Sequence, residues 1–123
     1  MKYTQQERLV FIQKMKNRTK QFAIDIIHFC DSLEKTNASR TISYQLVKSA
    51  TSTGANYRAA CRGRSKAEFH SKLSIVVEEA DESQYWLEII EGAEIKCNKE
   101  ILPKLLKEIG EITAIVTKAR YNT

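Results

Sequence analysis

The stretch from Phe69 to Ile90, FHSKLSIVVEEADESQYWLEII, decides the fold. Its apolar and small residues recur in alternating steps of four and three: Phe69, Leu73, Val76, Ala80, Ser83, Leu87 and Ile90. That spacing lines one side of an α-helix, and a helix with such a side must bury it against other helices. Charges crowd the rest of the segment, notably Glu78, Asp81, Glu82 and Glu88.

Three further segments carry the same signal. In the first, from about residue 5 to 34, Met15, Phe22, Ile26, Phe29 and Leu33 recur at three, four or seven residues, with Ala23, Ile27 and Cys30 widening the stripe. After a polar break at 35–39, the second runs from about 40 to 62. It places Ile42, Leu46, Ala50, Thr53, Tyr57 and Ala60 on one face. Many of its residues are small, and Gly54 inside a helix costs about 1 kcal/mol against alanine, which close packing of a neighbour would offset. Gly63 suits a left-handed cap for that helix, and Ser65 and Glu68 have capping-box spacing for the next, expected over 66–94. A polar connection at 95–99 leads to the fourth segment, 100–121, where Leu105, Ile109, Ile112, Val116 and Ala119 repeat the pattern. Pro103 fits that helix only within its first turn or at a kink. Short connections make consecutive helices antiparallel. The expectation is therefore all-α: an up-down-up-down four-helix bundle, with residues 1–123 forming one domain.

Composition agrees. A chain of 123 residues with four glycines and one proline favours long helices, and it buries a core without a metal or disulfide staple. Cys30, Cys61 and Cys97 are odd in number and form no CxxC pair, so they read as reduced packing thiols of a cytoplasmic protein. The N-terminal stretch lacks the apolar core and cleavage site of a signal peptide, and no run approaches the roughly 20 apolar residues that span a bilayer. No membrane association is expected.

The net charge of +5 permits an anionic partner, and its distribution points to where one would bind. No acidic residue occurs from Lys35 to Ala67, whereas Lys48, Arg58, Arg62, Arg64 and Lys66 do. Folding the hairpins antiparallel brings Lys14, Lys16, Arg18, Lys118 and Arg120 to the same end as Arg58, Arg62, Arg64 and Lys66. The carboxylates from Glu78 to Glu82 then lie about 20 Å along the third helix from Lys66. One basic pole and one acidic half follow. The nucleic-acid-binding candidates are Lys14, Arg18, Lys48, Arg58, Arg62, Arg64 and Lys66, acting on phosphates, since no recognition helix or aromatic platform reads bases. A solvated surface that suits the helix dipoles accounts for some of the same cations. On the second helix, Tyr44, Lys48, Thr51, Ala55, Arg58 and Arg62 project opposite the apolar stripe. Thr51 and Ala55 there, with Ile75, Glu79 and Trp86 off the main stripe of the third helix, are the candidate oligomer contacts; a single wide core is the competing explanation for Trp86.

Catalytic constellations are weak. Asp25 and His28 have metal-ligand spacing on a helix, yet a helical di-metal site needs two Glu-x-x-His pairs and two further carboxylates. Glu78 and Glu82 point away from the stripe, and no nucleophile–base pair or phosphate-cradling glycine loop is present. No catalytic residue, metal or cofactor is expected, and the chain is read as not being an enzyme.

The run from Ser43 to Asn56, SYQLVKSATSTGAN, followed by GRSKAEF at 63–69 and ESQYWL at 82–87, resembles the four-helix-bundle proteins encoded in 23S rRNA intervening sequences. A relative of that family is the accessory variability determinant of diversity-generating retroelements. The resemblance covers about residues 8 to 119, with Arg64, Ser65, Glu68, Phe69, Glu82 and Leu87 matching the family's pattern. It implies a homopentamer of bundles forming a barrel. In the retroelement branch it also implies a basic surface contacting nucleic acid and a reverse transcriptase. Where many members read Asn-Ile-Ala-Glu-Gly, this chain reads Asn56-Tyr-Arg-Ala-Ala, losing a glutamate and gaining Arg58, the mark of a more basic subgroup. The function expected is a non-catalytic, oligomeric nucleic-acid-binding or accessory protein. The alternative is a protein-interaction scaffold whose charges steer partners.

Overall fold

The structure is a computed structural model and describes residues 3–123. Four helices follow one another: α1 (Gln5–Cys30), α2 (Asn37–Cys61), α3 (Lys66–Gly92) and α4 (Leu102–Tyr121), with no strand among the described residues. Each pairs with its neighbour in sequence, and α4 returns to α1, closing a four-helix bundle.

Local chemistry sets the boundaries. Thr4 and Glu7 form a reciprocal capping box at the start of α1. That helix stops at Cys30, short of the expected 34. The Ser32 hydroxyl donates to the Phe29 carbonyl, and the chain turns. Leu33 remains buried and plugs the bundle end. Helix α2 starts three residues earlier than expected because the Thr36 hydroxyl accepts from the Ser39 N–H. Pro103 is the second residue of α4, where its missing N–H costs nothing.

Two cap expectations are corrected. No glycine among the described residues has a positive φ, so Gly63 is not a left-handed cap. Its need is space: a Cβ there would lie 3.1 Å from the Ala60 carbonyl oxygen and 3.2 Å from the Phe69 nitrogen. The left-handed position falls instead on Glu94, at φ 53, just past α3. There Ile95 N–H donates to the Ile90 carbonyl and Glu94 N–H to that of Glu91, the paired bonds of a Schellman motif. Ser65 caps α3 by accepting from Glu68 N–H, but the Glu68 carboxylate accepts from Arg64 N–H rather than closing the box on Ser65.

The core follows the heptad stripes. Leu73, Val76, Ala80, Ser83, Leu87 and Ile90 of α3 are buried, with Phe69 half-buried at the edge. Met15, Phe22, Ile26 and Phe29 of α1, Leu46, Ala50, Thr53 and Tyr57 of α2, and Leu105, Ile109, Ile112 and Val116 of α4 complete it. Ile27 does not widen the α1 stripe. It is 44% exposed, because α1 turns its Thr19, Ala23 and Cys30 flank to α2. The small-residue run of α2 brings backbones close, with the Gly54 Cα beside the Thr19 backbone. Ser83 donates to Ser49 across the α2–α3 seam at 2.8 Å.

Candidate nucleic-acid interface

Three contacts fix which residues share a level. Gly54 meets Thr19, so four residues further along α2 Arg58 stands level with Lys14 and Lys16 on antiparallel α1. Ser83 meets Ser49, which places Ser74 level with Arg58. Arg120 donates from Nε to the Ser74 hydroxyl at 2.9 Å, bringing the end of α4 to that same level. Lys14, Lys16, Arg58 and Arg120 thus share one level of the bundle. Arg62 and Arg64 lie just beyond it in the α2–α3 connection, and Lys66 opens α3.

On α2 the positions 44, 48, 51, 55, 58 and 62 are all exposed, a second heptad stripe facing away from the core. It carries Lys48, Arg58 and Arg62 as cations, with Thr51 and Ala55 leaving the backbone approachable between them. Lys14, Arg64 and Lys66 are exposed too. Glu7 and Glu68 at this end sit in helix caps: Glu7 accepts from Thr4 N–H and Glu68 from Arg64 N–H. The Thr4 backbone and hydroxyl bonds hold the Glu7 carboxyl below its ordinary range.

Arg18 leaves the set. Its Nε and Nη2 reach the two oxygens of Glu108 at 2.8 and 2.6 Å, and Nη2 reaches Glu111 at 3.0 Å. These are the ion pairs found among the described residues. The Glu108 hydrogen bonds raise the guanidinium pKa still further, and the same pairing lowers that of the Glu108 carboxyl. The charge expected to meet phosphate is spent joining α1 to α4, with a partner 90 residues away in sequence.

The acidic half is corrected as well. Glu78, Asp81, Glu82 and Glu88 form an exposed acidic face on α3. The end opposite the basic pole is mixed, however. Glu34 N–H donates to the Lys96 carbonyl, which gathers Lys35, Lys96 and Lys99 beside Glu34 and Glu94. Among the oligomer candidates, Thr51 and Ala55 are exposed, whereas Ile75, Glu79 and Trp86 are half-buried. Trp86 packs on the core, and its Nε1–H is shut away from solvent without a partner, so the wide-core explanation holds for this side chain. Tyr85, edge-on to Trp86 with ring centroids 5.2 Å apart, is the exposed member of that pair. Burial, and then neighbouring Glu82, raise the Glu79 carboxyl above its ordinary range. Asp25 and His28 are both exposed, and Asp25 accepts from the Gln21 amide. No helix among the described residues is long and apolar enough to cross a membrane.

A four-helix bundle with a cation-bearing outer stripe on α2 defines the class. Residues 13–118 match the 23S rRNA-intervening sequence proteins, and the chain belongs to that family. A crystal structure of a protein of unknown function from the S23 ribosomal protein family of Bacteroides thetaiotaomicron VPI-5482 is similar. Its TM-score is 0.76 at 29% identity, covering 89% of this chain and 97% of that one. No curated protein matches the chain.

Proposed function

We propose that this protein is a non-catalytic, cytoplasmic, oligomeric nucleic-acid-binding or accessory protein that holds RNA or DNA by its phosphates. The observation that carries the reading is the exposed α2 stripe, in which Lys48, Arg58 and Arg62 run into Arg64 and Lys66 with no carboxylate paired to them among the described residues. Cations whose charge is not neutralised within the chain release counterions from a polyanion when they bind it. The family resemblance supports an RNA-related role, a homopentamer and, in the retroelement branch, a reverse transcriptase as protein partner. Backbone contact supplies affinity without base preference.

The test is binding of a single-stranded RNA and a duplex DNA across a salt series. Contact with about five phosphates of a single strand gives a slope near −3.5, or about a 100-fold loss of affinity between 50 and 200 mM salt. Charge reversal at Arg58 and Arg62 should abolish most of it. Affinity that is flat in salt, or that survives the reversal, removes the reading. A protein-interaction scaffold is then left, and the exposed acidic face of α3 is the observation that favours it.

A further inference from the structure

Phe11 is an apolar ring standing in water. It is 47% exposed, and Leu9 and Val10 beside it are exposed as well. An exposed tyrosine keeps its hydroxyl hydrated, whereas phenylalanine has no polar atom to offer water. Contiguous exposed apolar surface of this kind marks a contact site.

What surrounds the ring says what it meets. Arg8 and Lys14 lie three residues to either side, at neighbouring positions on the helix surface. Two contacts between helices place the rest. Gly54 meets Thr19, so eight residues on, Arg62 at the end of α2 stands level with Phe11. Arg18 meets Glu111, so seven residues on, Lys118 of α4 reaches the same level. Arg8, Lys14, Arg62 and Lys118 are all exposed, and none is paired with a carboxylate among the described residues. Glu7, one turn back, is held in the Thr4 cap. Tyr121, 88% exposed, closes α4 beyond Lys118, and Tyr3, 71% exposed, precedes the α1 cap. Aromatic rings at positions 3, 11 and 121 thus gather at the basic end, a grouping that no sequence spacing reveals.

A ring set among uncompensated cations matches a phosphodiester chain whose base faces are bare. Inside a duplex each base face is covered by its neighbours. A single strand offers its faces, and stacking tolerates any sequence because every base has one. We infer that Phe11, ringed by Arg8, Lys14, Arg62 and Lys118, stacks on an unpaired base, so that the basic end takes single-stranded in preference to duplex nucleic acid. The inference rests on the proposed function and deepens it: the cations hold the phosphates, and the ring selects the strand form. A membrane surface fits less well, because the polar turn from Gln5 to Arg8 lies beyond the apolar residues and would enter the lipid ahead of them.

Fluorescence anisotropy with a mixed-sequence RNA strand, and with the duplex it forms with its complement, tests this. The wild type should bind the strand more tightly. Phe11→Ala should weaken strand binding by about 5- to 100-fold and move duplex binding by less than about twofold. Its salt slope should stay at the wild-type value, because a ring releases no counterions. Phe11→Trp should keep the preference for the strand, which keeps the test readable if alanine destabilises α1. Its emission should be quenched by the strand, against the unchanging background of Trp86, about 30 Å along α3 from Lys66. Equal wild-type affinity for strand and duplex, or equal losses for both in Phe11→Ala, overturns the inference and leaves phosphate binding standing. So does an unquenched Phe11→Trp that still binds the strand. Absence of salt-dependent binding to either form removes the proposed function, and the inference with it. Pelleting with phosphatidylglycerol vesicles that Phe11→Ala abolishes, with strand binding unmoved, assigns the surface to a membrane and also overturns it.

Discussion

Arg18 shows how one side chain changes meaning when its partner is known. Its bidentate hold on Glu108 joins the loosest seam of the bundle, with side-chain exposures of 26% and 33%. An exposed pair is worth little, whereas this fork geometry and partial burial put it near 1 kcal/mol. Arg18→Gln should therefore lower stability at pH 7 by about that amount, measured by urea denaturation. Pairing depresses the Glu108 carboxyl, so the contribution is present above the ordinary carboxylate pKa and fades as the pH falls through the lower folded value. The difference between wild type and variant should shrink in acid; a constant difference would mean that the loss is packing rather than charge. Gly54 invites a second test. A Cβ there would make ordinary contact, 3.4 Å from the Thr19 carbonyl oxygen, so alanine fits and removes the glycine penalty. Gly54→Ala should be neutral to stabilising by up to about 1 kcal/mol. Gly54→Val, whose methyls reach into the Thr19 backbone, should lose about 1–3 kcal/mol by overpacking.

Among the elements, helix ends carry most of what sequence reading missed. The heptad stripe of α3 is legible because burial imposes a period that side chains alone reveal, and the same holds for α2 and α4. The outer stripe of α2, from Tyr44 to Arg62, is legible for the complementary reason. A glycine near a helix end, by contrast, has two uses, and Gly63 serves the unexpected one, while the left-handed cap falls on Glu94. Gly63 has no positive φ and sits where a Cβ would crowd the Ala60 carbonyl and the Phe69 nitrogen, while the left-handed site at Glu94 holds a residue whose type gives no signal. A left-handed backbone costs a residue with a Cβ about 1–2 kcal/mol, a cost glycine avoids. Glu94→Gly should accordingly stabilise the protein by about 1 kcal/mol in thermal or urea denaturation. No gain would place Glu94 in side-chain contacts that offset the strain. The Arg18–Glu108 register was beyond sequence reasoning for another reason: α1 and α4 share no hairpin, so no loop length fixes their relative height.

At the scale of the whole molecule, the question is which cations a polyanion meets. Hairpin arithmetic places nine basic side chains at one end without saying which are already neutralised, and a carboxylate brought in from another helix decides that. Arg62 is exposed at the end of α2 with no carboxylate paired to it among the described residues, whereas Arg18 shares its charge with Glu108 and Glu111. The two arginines should therefore separate in one experiment. Each cation that contacts a phosphate contributes about 0.7 to the slope of log affinity against log salt for a single strand. Arg62→Gln should flatten the slope by about that amount, and Arg58→Gln by a similar one. Arg18→Gln should leave the slope unchanged, and it frees two carboxylates that lower affinity only weakly from the α4 side. Equal slope changes for Arg18 and Arg62 would mean that the ion pair opens for nucleic acid, and the interface would then extend across the α1–α4 seam instead of lying along α2.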